Sequence, residues 1–477
     1  MVEKYEKKEW KRKMKIKLDV NNMFGDRVGE QGIKKSRLDR IQPKIEEIQD
    51  KIQVNRGEGA LAFMDLPYQD RDIIARLKDT ANRLSNDIKN FVVLGIGGSA
   101  LGSIALKSAL KESYYNVNNI EESTPRLFVP DNVDPERFLS LLEKMDLSKT
   151  VFNVISKSGG TAETMSQFLI ARRAVAEELG EENLADHFIA TTSKESGNLI
   201  KIARREGFET FYIPENVGGR FSVLTPVGLL FAAVAGMDIE ELLAGAAYMD
   251  KICEYRDLWQ NPAYLNAALH YLAYNQGKNM SIMMPYSHSL KDIADWYRQL
   301  WAESLGKELD RKGNTVNVGP TPIKALGATD QHSQVQLYME GPYDKIVTFL
   351  KVENYSSQVE IPEEYQDIDG VGYLGGHSLN KLLDTERKAT ELALTRRDRM
   401  NETIIIPEIN EFTVGQLFYL FEMQTVVIGE LFDINTFNQP GVELGKDYTY
   451  GILGRNGYEN MKEEFENRSP KDEDLII

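Results

Sequence analysis

Nine consecutive residues, Ser156-Lys157-Ser158-Gly159-Gly160-Thr161-Ala162-Glu163-Thr164, bring together four hydroxyls, one ammonium and two glycines. They sit between an apolar run at 151–155 and a helical pattern. Glycines let backbone N–H groups approach an anion, and a helix N-terminus adds positive potential. Ser and Thr hydroxyls donate hydrogen bonds without formal charge. The bland alternative is a helix cap by Thr161 with Lys157 in solvent. Capping uses one hydroxyl and four are present, so the loop is read as an anion site. There is no GxxxxGK[ST] pattern, hence no Walker-type nucleotide signal.

A second loop, Gly95-Ile96-Gly97-Gly98-Ser99-Ala100, also joins a predicted strand to a predicted helix and satisfies G-x-G-x-x-A. Three readings stay open: a tight turn with Ser99 as cap, a simple phosphate site, or a dinucleotide site. The last needs an acid about 20 residues on. Pro130-Asp131 comes some ten residues later than that. Two such loops side by side suit a phosphate monoester with a small polar body.

Other residues can move protons or hold charge. Arg220, in Val217-Gly218-Gly219-Arg220-Phe221-Ser222, can stabilise an oxyanion; a surface turn is the alternative. Gln299 and Glu303 share a helix face four residues apart. Glu303 is a candidate base for a carbon-bound proton, or simply an i,i+4 ion pair with Lys307. His332 lies in Gly327-Ala328-Thr329-Asp330-Gln331-His332-Ser333, at an element start where a proton-transfer group is plausible. Lys446 ends the Gly-punctuated segment from Gln439, and alone reads as a solvated lysine.

The elements that must position these residues follow a strand-helix rhythm. Strands are predicted at 91–96, 127–130, 151–155, 187–192 and 210–213, with helices between them. The helix after 155 shows Met165, Phe168, Leu169, Val175 and Leu179 on one face, with Arg172 intruding. Five βα units in succession imply a parallel sheet, with ligands beyond the carboxyl ends of its strands. A helical stretch at 225–276 leads to a second α/β region with strands at 280–285, 345–352 and 403–406. Helices there are predicted at 289–308, 379–400 and 413–432. The first 60 residues read as an N-terminal extension packing on a later core.

The 477 residues are 42% hydrophobic and 27% charged, ordinary for a globular chain, and the charge is 57 − 73 = −16. A phosphate-backbone reader needs a basic face, so no nucleic-acid partner is expected. The single cysteine, Cys253, cannot form an intrachain disulfide, and the five histidines form no ligand set, so no metal is expected. The N-terminus reads as neither signal nor transit peptide. The longest near-apolar stretch, 226–237, is shorter than the ~20 residues of a membrane span, so no membrane partner is expected.

Together these segments closely resemble the glucose-6-phosphate isomerase (phosphoglucose isomerase) family, from about Phe91 to Lys446 and in motif order. The most specific parts are Gly218-Gly219-Arg220-Phe221-Ser222-Val223-Leu224-Thr225-Pro226 and Gln439-Pro440-Gly441-Val442-Glu443-Leu444-Gly445-Lys446. The resemblance implies two sugar-isomerase (SIS) α/β subdomains, flavodoxin-like three-layer units with helical extensions. The expected boundaries are 1–60, 61–240, 241–446 and 447–477. It implies cofactor-free interconversion of glucose 6-phosphate and fructose 6-phosphate. By resemblance, Ser99, Ser156, Lys157, Ser158, Thr161 and Thr164 bind the sugar phosphate. Glu303 is the base, Arg220 the cation beside a cis-enediol(ate), and His332 and Lys446 serve ring opening and substrate handling. Gly98, Glu163, Gly219, Gln299 and Gln439 fall at further pocket positions. A cytoplasmic homodimer with His332 donated across the interface is implied. Gly160 and Asn438 depart from common family choices. Two rival readings remain: a dinucleotide-dependent oxidoreductase, and a non-catalytic SIS sugar-phosphate sensor. The net negative charge and the retained Glu303, His332 and Lys446 oppose the second.

Overall fold

The computed structural model describes residues 2–118 and 124–477. Its strands are β1 (Lys17–Asp19), β2 (Asn90–Leu94), β3 (Arg126–Phe128), β4 (Thr150–Ile155), β5 (Phe188–Thr192), β6 (Glu209–Tyr212), β7 (Met280–Pro285), β8 (Lys307–Leu309), β9 (Thr315–Val318), β10 (Thr321–Lys324), β11 (Lys345–Asn354) and β12 (Asn401–Glu408). The principal helices are α1 (Lys35–Gly57), α2 (Leu101–Leu110), α3 (Ala162–Leu179), α4 (Pro226–Val234), α5 (Ile239–Cys253), α6 (Pro262–Tyr274), α7 (Lys291–Leu305), α8 (Glu411–Leu431) and α9 (Glu443–Ile452).

The first sheet runs β3-β2-β4-β5-β6, parallel throughout. Its central strands β2, β4 and β5 are buried on both faces, and the period-2 alternation divides them between two cores. Phe91, Val93, Val151 and Ile155 face one core; Val92, Leu94, Phe152 and Val154 face the other. In the second core Phe188 stacks on Phe152 (5.3 Å) and meets the edge of Phe168 of α3 (5.5 Å). The second sheet runs β1-β12-β11-β7-β10 and divides in the same way. Met283, Ile346 and Leu350 join the core that also holds Phe91 and Val93, whereas Ile282, Met284, Val347 and Phe349 form a separate one. The α/β expectation with helix-covered sheets therefore holds.

In α8 every residue from Phe412 to Leu431 is buried. A helix that is apolar nearly all round belongs inside a core. Its start is fixed by a capping box: the Asn410 side chain accepts from the Thr413 N–H (2.9 Å), and the Thr413 hydroxyl accepts from the Asn410 N–H (3.1 Å). Among the described residues no helix is long and apolar enough to cross a membrane.

The second sheet departs from a purely parallel reading. β1 pairs antiparallel with β12, Leu18 opposite Ile404, so the N-terminal segment supplies an edge strand. A three-residue strand among charged residues is too short to show a period. The sequence reading also missed β10, parallel to β7, and the β8–β9 ribbon. In α3 it placed Leu169 inward. Leu169 is 58% exposed, and Gln167 takes the buried position because its amide donates to the carbonyls of Pro130 (3.0 Å) and Asn132 (2.9 Å).

The order β3-β2-β4 sets the site. The chain leaves β2 toward β3 on one side and returns to β4 on the other, so the loops after β2 and β4 flank a topological switch point. These are the two loops rich in glycine and hydroxyls.

Candidate active site

The hydroxyl loop is folded largely onto itself. Ser156, 2% exposed, accepts a hydrogen bond from the Gly159 N–H (3.0 Å), and its Oγ lies 3.1 Å from the Thr161 hydroxyl. The Ser158 hydroxyl accepts from the Gly160 N–H (3.1 Å). Thr161 occupies the N-cap position of α3 but makes no side-chain cap bond, so the capping alternative fails. Gly159 has φ +62°, and a Cβ there would lie 2.1 Å from the Leu199 nitrogen. Only glycine permits that turn. Thr164 is 1% exposed and its Oγ1 has no partner among the described residues. A buried hydroxyl without a partner costs about 1–3 kcal/mol, which a bound anion oxygen would offset. The Glu163 carboxylate, in the same helical turn, enters no ion pair among the described residues.

Lys157 does not point into solvent. Its ammonium donates to the carbonyls of Glu215 and Val217 (3.1 Å to the latter). Burial pushes its pKa down, with Glu215 opposing. It thus ties the hydroxyl loop to the segment that leads into Gly218-Gly219-Arg220.

That segment closes over the other loop. A Cβ on Gly98 would lie 2.2 Å from the Gly219 carbonyl carbon and 2.7 Å from the Arg220 nitrogen. Gly98 is therefore required by backbone contact with Gly219. Packing against protein backbone accounts for this glycine without a pyrophosphate, so the dinucleotide reading gains no support from it. Ser99 is no cap either: α2 begins after Ala100 without a side-chain cap bond. The Ser99 hydroxyl makes no hydrogen bond among the described residues and stays available to a ligand.

Arg220 is 3% exposed and fully used. Its Nε donates to the Ser304 hydroxyl (2.7 Å), and Nη1 donates to Glu303 (3.2 Å) and to the Gln439 side-chain oxygen (3.1 Å). Nη2 donates to the carbonyls of Thr436 and Asn438. Burial pulls its pKa down and Glu303 opposes that. Such a guanidinium is locked in direction, as an oxyanion stabiliser must be. Glu303, one-third exposed, accepts from Arg220 on one oxygen and from the Gln299 amide on the other (3.2 Å). Gln299 in turn faces the first loop, because a Cβ on Gly97 would lie 2.9 Å from its nitrogen.

The alternative for Glu303, a simple i,i+4 ion pair with Lys307, does not form. The Lys307 ammonium is buried and donates to the main-chain carbonyl of Glu303. Burial, and then the Arg220 charge, push its pKa down to about 8, with Glu303 opposing.

Arg220, Gln299, Glu303 and Gln439 thus converge, and Gly98 and Gly219 join them by backbone contact. Two residues stand apart. His332 ends a short 3₁₀ turn beyond β10, is exposed, and makes no hydrogen bond among the described residues. Lys446, on α9, is half exposed and pairs with Glu443 three residues earlier (2.9 Å). Sequence reasoning missed Ser304, Lys307 and the carbonyls of Thr436 and Asn438. Ser304 stood beside Glu303, but nothing in its type marked it as the partner of a distant arginine.

The family model described as phosphoglucose isomerase matches residues 71–471. The chain is 49% identical over 452 residues to a glucose-6-phosphate isomerase of Carboxydothermus hydrogenoformans, covering 94% of this chain and 97% of that one. A hypothetical protein from Thermus thermophilus superposes with a TM-score of 0.81 at 36% identity, covering 92% of this chain and all of that one. A glucose-6-phosphate isomerase from Chlamydia trachomatis superposes at 0.74 with 22% identity, covering 90% and 89%, a likeness of fold. With its two glycine-rich loops and its Arg220–Glu303 pair set on this scaffold, the chain belongs to the phosphoglucose isomerase family.

Proposed function

We propose that the chain interconverts glucose 6-phosphate and fructose 6-phosphate, with Glu303 as the proton-shuttling base. The observation that carries this is the placement of one partly exposed carboxylate between the Gln299 amide and a buried, fully bonded Arg220, beside the Gly97-Gly98 turn.

The hydroxyls of Ser99, Ser156, Ser158, Thr161 and Thr164 bind the phosphate with N–H groups of the same loops. Binding energy spent there orients C1 and C2 against the carboxylate. Glu303 takes the C2 proton of the open-chain aldose, and the electron pair moves into the C1–C2 bond as the C1 carbonyl becomes an oxyanion. Arg220 stabilises that enediolate. Glu303 then returns the proton to C1, while the hydroxyl proton shifts from O2 to O1. C2 is oxidised as C1 is reduced, so the step balances within the substrate. His332 and Lys446 serve ring opening, with Glu163 and Gln439 completing the pocket.

The active form in this reading is a homodimer, in which His332 of the partner subunit completes each site. The exposed, unbonded His332 supports this, as do the exposed aromatics Tyr365 and Tyr373 on the arm after β11. A phosphorylated hexose as substrate fits a cytoplasmic setting.

The test is turnover of fructose 6-phosphate by the full-length protein, with glucose 6-phosphate read through a coupled dehydrogenase. Wild-type protein forms product without added metal or nicotinamide in the isomerase step. Glu303→Gln loses about 10³- to 10⁴-fold in kcat, the scale of a positioned general base. Near-normal turnover by that variant would overturn the reading.

A further inference from the structure

One segment bridges the two halves of the site and is anchored at both ends. At its start, Gln439 accepts from Arg220 (3.1 Å). At its end, the Tyr450 hydroxyl donates to the Gly160 carbonyl in the hydroxyl loop (3.1 Å). Between these anchors runs α9, rising ~1.5 Å per residue, so Glu443 and Tyr450 stand about 10 Å apart along it. Lys446 lies inside that span, four residues before Tyr450 and on the same helix face.

The Tyr450 ring is held from its far side. Tyr458 meets it edge-on (5.2 Å) and the Arg455 guanidinium lies 4.3 Å from its centre. Tyr448, on the same helix, donates to Glu464 (2.5 Å). The ring that carries the hydroxyl is therefore held by Tyr458 and Arg455, and the loop receives the hydroxyl. Gly160 is held on both sides, its N–H by Ser158 and its carbonyl by Tyr450.

We propose that Tyr450 is a positioning residue that ties the Lys446-bearing helix to the phosphate loop. The ammonium assigned to substrate handling is then set by the loop that grips the phosphate, and Gln439, ahead of the same helix, holds the chain entering it against Arg220. The proposal rests on the isomerase reading for the role of Lys446, and on geometry alone for the tie.

Tyr450→Phe removes the hydroxyl and keeps the ring packing. Its kcat with fructose 6-phosphate falls on the order of fivefold, the loss a single hydrogen bond carries, while the thermal midpoint stays at the wild-type value. In a Lys446→Met background the same substitution costs nothing further, because the two act as one unit. Acetic anhydride labelling, read by mass spectrometry, modifies Lys446 several-fold faster in Tyr450→Phe than in wild type. An equal loss in both backgrounds, or unchanged kcat with unchanged labelling, would overturn the proposal. If the wild-type protein turns over no hexose phosphate, the isomerase reading falls, and the labelling rates still decide whether Tyr450 holds the helix.

Discussion

The hydroxyl loop after β4 draws on nine consecutive residues, whereas the Arg220–Glu303 group draws on three segments: 218–220, 299–307 and 436–439. The loop is shaped by local bonds such as Gly159 to Ser156 and Gly160 to Ser158. The proton-transfer group exists only once α7 and the chain after α8 have packed around Arg220. Binding and chemistry therefore rest on different balances of structure: the loop is mostly local, with distant ties at Lys157 and Gly160, and the proton-transfer group is tertiary throughout. Substitutions in the two regions should separate KM from kcat.

The largest expected effect tests that separation directly. Glu303→Gln loses about 10³- to 10⁴-fold in kcat while inhibition by inorganic phosphate stays at the wild-type value. A matching loss of phosphate affinity would show that the two regions are one unit. Next is Arg220→Lys. A lysine cannot reproduce five directed bonds, so the Thr436, Asn438 and Ser304 acceptors lose their donor. The expected kcat loss is about 10²-fold, of the order of one lost oxyanion donor. Because the site is tertiary, the thermal midpoint falls as well. An unchanged midpoint would mean that Arg220 is not what holds the 436–439 segment.

The same contrast explains what could be read from the sequence. The loop is contiguous, so residue types alone disclosed it: four hydroxyls where a cap needs one. β2 and β4 announced themselves as apolar runs because both faces are buried. Ser304 and the carbonyls of Thr436 and Asn438 left no trace, since a carbonyl has no residue type and Ser304 is an ordinary serine. Glu303 and Lys307 stood four apart and looked like a simple ion pair. Burial turned the ammonium to a main-chain carbonyl and gave the carboxylate to an arginine 83 residues earlier. Leu169 lost its expected inward place while Gln167 is buried, because the carbonyls of Pro130 and Asn132 accept from the Gln167 amide. β1 and β10 escaped notice as strands of three and four residues at sheet edges.

A smaller effect belongs to the loop. Thr164→Val keeps the shape and deletes a buried hydroxyl that has no partner among the described residues. KM for fructose 6-phosphate rises about tenfold, the value of a hydrogen bond to a charged group. Turnover changes less than twofold, and the thermal midpoint holds or rises slightly. A fall in midpoint would give the hydroxyl a structural partner instead.

The smallest effect on turnover, and the sharpest on the physics, concerns two lysines used alike in the two regions. Lys157 and Lys307 each give their ammonium to main-chain carbonyls, and burial lowers the pKa of each. Lys307 is the more buried and falls to about 8, against an ordinary lysine value of 10.5. Below pH 8 it carries its proton in both the native and unfolded chain, and the desolvation cost stands in full. Between pH 8 and 10.5 the native chain has shed that proton and the unfolded chain has not. The unfolded state binds more protons there, so stability rises with pH across this window. Lys307→Met removes the titration, and the difference between the two proteins isolates it from every other group. Urea midpoints measured from pH 7.5 to 10, a range of about two and a half units around the shifted value, should rise for wild type relative to the variant by the equivalent of about 1–3 kcal/mol. A flat difference would mean that Lys307 keeps its proton throughout, held by Glu303 more strongly than burial and Arg220 repel it.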